Sequence, residues 1–217
     1  AQAGRTVFLS SHILSEAAAL SARTLGRNLA ALTRRHWWLL PALCRQLDAA
    51  RYRFETDGHQ VHAIWGARAA GPEVPILREE EDRRLDACGE DLPEEFGSDD
   101  ATVVQLGLGW GTLALEINRR LRGAQHLFIW EADRTLAKQL MKVRDLSPLW
   151  ESERVTLVLG ESLHVPADRR RRMLSPSTLY VTGSARRWNT GLYRSFMDRV
   201  KMGEMQPAAV EAAAGHW

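Results

Sequence analysis

Cysteine is scarce in this chain, and long apolar runs are missing. The two thiols, Cys44 and Cys88, are too few for a disulfide-stapled fold, and their separation matches no metal-ligand spacing. Two free thiols in a reducing compartment are therefore expected, with a single disulfide between them as the alternative. No stretch approaches the roughly 20 apolar residues that span a bilayer. The longest, around Trp37 to Leu43, is flanked by arginines, so no membrane partner is expected. A dominant charge is missing too: the formal net charge is +2, which gives no general argument for nucleic acid as a partner. The opening AQAGRTVFLSSHILSE has neither the order of a secretory signal nor an initiator Met, and the chain ends in AAVEAAAGHW. A cytoplasmic fragment of a longer protein is the expectation.

The parts of a nucleophilic or metal centre are also lacking. Serines 147, 152, 162, 175, 177, 184 and 195 sit in no G-x-S-x-G elbow, and the seven histidines do not cluster at ligand spacing. No metal site is expected, and catalytic residues cannot be assigned. Asp145, Glu161 and His164 fall near the carboxyl edge of the expected sheet, where Asp145 reads as a cap or loop hydrogen-bonder. The run Arg169 to Arg172 reads as a solvated helix end, and Arg186, Arg187 and Trp188 as a loop with a weak claim on an anion.

What is present is a 45% apolar fraction, enough for a real core, and a marked segregation of charge. Residues 23 to 53 are basic and residues 73 to 100 are acidic. Thr6 to Leu9 suits a short strand, and a helix follows from the serines at 10, 11 or 15 toward Ala22. Leu25, Leu29, Leu32, Leu39, Leu40, Leu43 and Leu47 then recur at helical spacing, with Pro41 either kinking that helix or opening a second one. Tyr52–Glu55 and Val61–Trp65 flank an Asp57-Gly58 turn as a hairpin. Gly66 to Pro75 is turn-prone, and Arg78 to Leu85 reads as a charged helix. From Thr102 onward the pattern alternates: strands at Thr102–Leu106, His126–Glu131, Arg154–Leu159 and Thr178–Thr182, with helices at Thr112–Leu121, Arg134–Val143, near Asp168–Met173 and at Asn189–Val200. This is an α/β chain with a Rossmann-like, mostly parallel sheet preceded by a small helical plus β-hairpin module. The expected division is 1–100 for the helical and hairpin module with its acidic linker, 101–205 for the Rossmann-like domain, and 206–217 for a frayed tail.

The most specific signal lies in TVVQLGLGWGTLALEINRRLRGAQHLFIWEAD (102 to 133). An apolar strand ends in Gly107, Gly109 and Gly111, a helix follows, and the next strand ends at Glu131. Glycines there let the backbone turn and approach a ligand, while Glu131 stands where nucleotide folds place a ribose-binding carboxylate. Gly107, Gly109, Trp110, Gly111 and Glu131 are the candidate cofactor-binding residues. The same pattern also fits a tight turn without a ligand. Trp110 either stacks on a base or packs on the neighbouring helix; Glu131 either accepts from ribose hydroxyls or caps the following helix, for which Asp133 is the better candidate.

The run LGRNLAALTRRHWWLLPAL (25 to 43), the hairpin stretch, and VVQLGLGWGTLALEI…HLFIWEADRTLAKQL…DLSPLWESERVTLVLG together resemble the N-terminal part of bacterial motility-associated factors, the Maf-type flagellin glycosyltransferases. The likeness spans most of residues 24 to 200. It implies a Rossmann-like unit standing before a central domain that transfers an activated nonulosonic acid to flagellin Ser/Thr, with Gly107, Gly109, Gly111 and Glu131 matching the family's loop and acid. Ala132 replaces a proline common after that acid. Nothing after Val200 supplies the central domain, so the implied role is an accessory module, with flagellin and the transferase domain as its partners. The cofactor is left open between a nucleotide sugar and S-adenosylmethionine, because a methyltransferase uses the same strand, loop, helix and acid. A ligand-free interaction module is the third reading. Separately, GRTVFLSSHILSEAAAL (4 to 20) resembles the switch-histidine segment of ABC-transporter ATPases around His12. Without a Walker A loop in the chain, no activity follows from it.

Overall fold

Four strands rich in β-branched, aliphatic and aromatic residues form a wholly parallel sheet in the computed structural model. These are Thr102–Leu106, His126–Glu131, Val155–Leu159 and Thr178–Val181, here β4 to β7, in the order β6-β5-β4-β7. The structure describes residues 11–44, 51–57, 60–67, 72–79, 92, 96–161, 165, 169, 172–173, 176–188 and 190–201. The expected strand at Thr6–Leu9, the ATPase-like segment up to residue 10, most of the acidic linker, His59, Cys88, His164 and the tail from 206 lie outside them.

Every residue of β4, β5 and β6 is buried, as a sheet covered on both faces requires. Alternation sends Val103, Leu127, Ile129 and Leu157 into one core, with Ala114, Ile117, Leu136, Leu140 and Trp150. Val104, Leu106, Phe128, Trp130 and Val158 enter the other, with Tyr193 and Phe196. The first face is covered by Thr112–Arg120 (α3), Arg134–Val143 (α4) and the short Ser147–Glu151 (α5); the second by Thr190–Lys201 (α7), which follows Gly183–Trp188 (α6). In order of chain entry the four strands are arranged 3-2-1-4, one half of a Rossmann sheet, and the order reverses between β4 and β7.

The N-terminal helix is a single span, Ser11–Arg35 (α1), rather than two pieces. A 3₁₀ turn, Trp37–Leu39, then leads to Leu40–Cys44 (α2), with Pro41 in its first turn, where a missing N–H is harmless. Helix α1 lies against α4 and α5. Asn28, fully buried, fastens it there: Nδ2 donates to the Met141 and Arg144 carbonyls at 2.9 and 2.8 Å, and Oδ1 accepts from Leu146 N and Trp150 Nε1 at 2.8 and 3.2 Å. Exposed pairs Arg27–Asp145, Arg34–Glu151 and Arg35–Glu153 flank that seam. The basic helix thus meets acids of the parallel-sheet half, at a modest gain for each exposed pair.

The hairpin, Tyr52–Asp57 (β1) and Gln60–Ala67 (β2), is joined by a third antiparallel strand, Glu73–Arg78 (β3), in the order β1-β2-β3. This corrects one expectation: part of the segment read as a turn is strand. Arg78 ends that strand, Glu79 after it is helical, and the rest of the expected helix to Leu85 lies outside the described residues. Pro75 concealed the strand. The proline faces Trp65 where the β2–β3 register shifts, on an edge strand that tolerates a missing donor. Among the described residues no helix is long and apolar enough to cross a membrane.

Candidate functional site

The glycine loop opens at the carboxyl edge of β4, beside the point where the strand order reverses. Gly107, Gly109 and Gly111 have φ of 80°, 60° and 88°, a left-handed conformation that side chains disfavour. The turn is held internally. Gly107 N donates to Trp130 O at 2.8 Å, Gly111 N to Leu108 O at 3.2 Å, and the buried Gln105 donates from Nε2 to Gly107 O at 2.9 Å. All five residues from Gly107 to Gly111 are buried. The chain itself lies close at two of the glycines: a β-carbon built on Gly107 collides with Thr182 Oγ1 and lies 2.7 Å from Ala185 Cβ, and one built on Gly111 lies 2.5 Å from Leu146 Cδ2. Trp110 packs into the first core at 2% exposure, which is the packing alternative of the two considered for it.

Glu131, at the end of β5, is buried, and both of its oxygens accept from backbone. Oε2 takes Leu108 N at 2.9 Å and Oε1 takes Asp133 N at 2.9 Å, with the Tyr193 hydroxyl 3.4 Å from Oε1. The carboxylate therefore stitches the glycine loop to the turn that starts α4. Burial pushes its pKa up to about 7, against the lowering effect of the two backbone N–H groups.

Asp133 is the cap of α4, as expected: Oδ1 accepts from Thr135 N and Leu136 N, both at 3.0 Å. Its other oxygen was not legible in the sequence. Oδ2 accepts from Arg51 Nη2 at 2.8 Å, from Trp188 Nε1 at 3.1 Å and from the Tyr52 hydroxyl. Tyr52 and Arg51 come from the start of the antiparallel sheet and Trp188 from the end of α6, so two separate segments supply three donors to one carboxylate oxygen. Burial and the Asp133 charge push the Tyr52 phenol well above its usual range.

The remaining candidates take structural posts. Asp145 accepts from Ser147 N and Oγ and from Arg27. Glu161 is exposed. Gly183 to Trp188 is helical rather than a loop, since Thr182 Oγ1 accepts Ala185 N at the start of α6, and Arg187 reaches the Ile76 carbonyl on β3. Of the basic run, Arg169 and Arg172 are half-buried and bonded to the chain. Arg169 donates to Thr156 Oγ1 and covers the Trp38 ring, and Arg172 donates to the Ala124 carbonyl at 2.6 Å. Nearby at the amino edge of the sheet, burial chiefly, with the Arg169 charge, lowers His36 to about 4; burial with Arg172 and Arg169 does the same to His126. Among the described residues no group of three or more His, Cys, Asp or Glu side chains could hold a metal ion.

Comparisons with protein-family models, with curated proteins and with solved structures return no match.

Proposed function

We propose that this chain is an accessory, non-catalytic module of a bacterial flagellin glycosyltransferase, acting beside the domain that transfers a nonulosonic acid to flagellin Ser/Thr. Membership of that enzyme class rests on the resemblance carried by residues 25 to 43, the glycine loop and the segment from His126 to Gly160. The non-catalytic half of the proposal rests on one observation: Glu131 is buried, and each of its oxygens already accepts a backbone amide of the chain itself. A ribose arriving there would have to share oxygens that hold the loop in its geometry. The glycines are accounted for by their positive φ and by the close approach of Thr182, Ala185 and Leu146. The transferase domain and flagellin are the partners this role requires.

The test is calorimetric titration of the chain and of a Gly109→Trp variant with CMP-linked nonulosonic acid and with S-adenosylmethionine, alongside sedimentation with purified flagellin. The proposal expects no nucleotide heat from either protein and a complex with flagellin or with the separately expressed transferase domain. Micromolar binding of S-adenosylmethionine that disappears in Gly109→Trp would make the chain a methyltransferase instead.

A further inference from the structure

Around Asp133 the fold builds a cage for a planar cation. The Arg51 guanidinium lies 5.1 Å from the Tyr52 ring centre and 5.8 Å from that of Trp188, while its Nη2 donates to Asp133 Oδ2 at 2.8 Å. The two rings stand 6.5 Å apart, tilted by 57°. Each is fixed by its own polar atom, since the Tyr52 hydroxyl and Trp188 Nε1 both donate to the same carboxylate oxygen. The carboxylate is held in turn by the N-terminal amides of α4. Two aromatic faces and a fixed carboxylate are what recognition of a guanidinium requires: cation–π attraction across the rings and a charge-assisted hydrogen bond in the plane.

The cage is more deeply buried than its occupant. Asp133 has a side-chain exposure of 10%, but Arg51 has 41%. Arg51 also precedes the sheet ladder, whose first register pair is Tyr52 with Gly66. Withdrawing its side chain therefore breaks no strand pairing and leaves the rings and the acid in place.

We infer that Asp133, Tyr52 and Trp188 form an exchangeable guanidinium-binding site, filled by Arg51 in the isolated chain and open to an arginine side chain of a partner protein that displaces it. This goes beyond the glycosyltransferase reading and holds or fails independently of it.

The experiment is an NMR titration of the full chain, labelled at the tryptophan indole nitrogens, with methylguanidinium as the probe. In Arg51→Ala, the Trp188 indole resonance should shift saturably with a dissociation constant of the order of millimolar. The wild-type chain should need at least tenfold more probe, and Arg51→Ala with Asp133→Asn should show no saturable shift. Equal shifts in wild type and Arg51→Ala, or none in a folded Arg51→Ala, would overturn the inference. Should Arg51→Ala fold only when methylguanidinium is added, the site is supported; should it stay unfolded with the probe present, the site is refuted.

Discussion

Replacing Asn28 with alanine removes a fully buried polar side chain by which α1 grips the C-terminal end of α4 and helix α5. The truncation leaves the Leu146 amide and the Trp150 indole N–H without an acceptor, and the Met141 and Arg144 carbonyls without a donor. The Leu146 amide, the Trp150 indole and the Met141 carbonyl are buried where water cannot readily substitute, and the Arg144 carbonyl is half-buried. With a net cost of about 1 kcal/mol per lost bond, rising toward ~3 kcal/mol for a buried group left unpaired, the substitution should cost about 3–5 kcal/mol. Against the 5–15 kcal/mol that ordinarily holds a domain folded, roughly a third of the total stability is at stake. Asn28→Asp discriminates the cause, because it keeps an acceptor for Leu146 and Trp150 while setting a carboxylate against two carbonyl oxygens. It should be at least as damaging as alanine. Urea unfolding followed by tryptophan fluorescence reads both variants, with the midpoint lowered and the slope unchanged. A cost below about 1 kcal/mol for alanine, or an aspartate milder than alanine, would refute the account of Asn28 as the fastener.

Two further expectations follow from the loop and the buried titrating groups. Gly107→Ala combines a positive φ with a collision against Thr182 and Ala185, and should cost about 2–4 kcal/mol. Gly111→Ala meets only the movable end of Leu146 and should cost less, whereas Gly26→Ala in α1, with open space around its β-carbon, should stabilise by about 0.5–1 kcal/mol; thermal melts of the three variants check the order. Stability should also peak near pH 6.5. His36 and His126, lowered from 6.5 to about 4, leave the unfolded chain holding more protons between those values, so stability falls as pH drops through that window. Glu131, raised from 4.5 to about 7, works the other way and loses stability as pH rises toward 7. Two groups outweigh one, giving a climb of up to about 3 kcal/mol from pH 4 to 6.5 and a small decline above it. A melting temperature independent of pH between 4 and 6.5 would contradict this.

The parallel sheet was legible because its strands are short apolar runs separated by helix-period segments, and each βα unit is a local pattern. The Asp133 cap was legible for the same reason, since the amides that donate to it lie two and three residues ahead. The third antiparallel strand was not, because a proline stands inside it and the register shift beside it, which skips Ile76, shows only once β2 is in place. Helix α6 was missed because its N-terminal signal, Thr182, also ends a strand. Arg51, Tyr52, Trp188 and Asn28 were missed for a different cause: the partners that place them in these clusters lie 55 to 122 residues away. Tyr52 carries only the alternation of a strand, and Asn28 is a polar interruption on an otherwise apolar helix face. That interruption is the one clue the sequence offers, for a polar residue on a core-facing stripe must find partners.

Three alternating glycines after a strand are commonly taken as a cradle for a phosphate or ribose, yet the loop's form alone does not require a ligand. Positive φ at each glycine already excludes most other residues. The volume above Gly107 is taken by Thr182 and Ala185, which arrive with the fourth parallel strand, and that above Gly111 by Leu146, at the entry to α5. The acid at the end of β5 then supplies the acceptor that the Leu108 amide would otherwise lack in a buried turn. Glycines, acid and neighbouring strand satisfy one another, so removing any one exposes an unmet demand in the others. If the loop served a ligand, Glu131→Gln would chiefly weaken binding. In the arrangement described, it sets an amide N–H against either the Leu108 or the Asp133 N–H, and its effect should appear as lost stability of the folded chain with no ligand present.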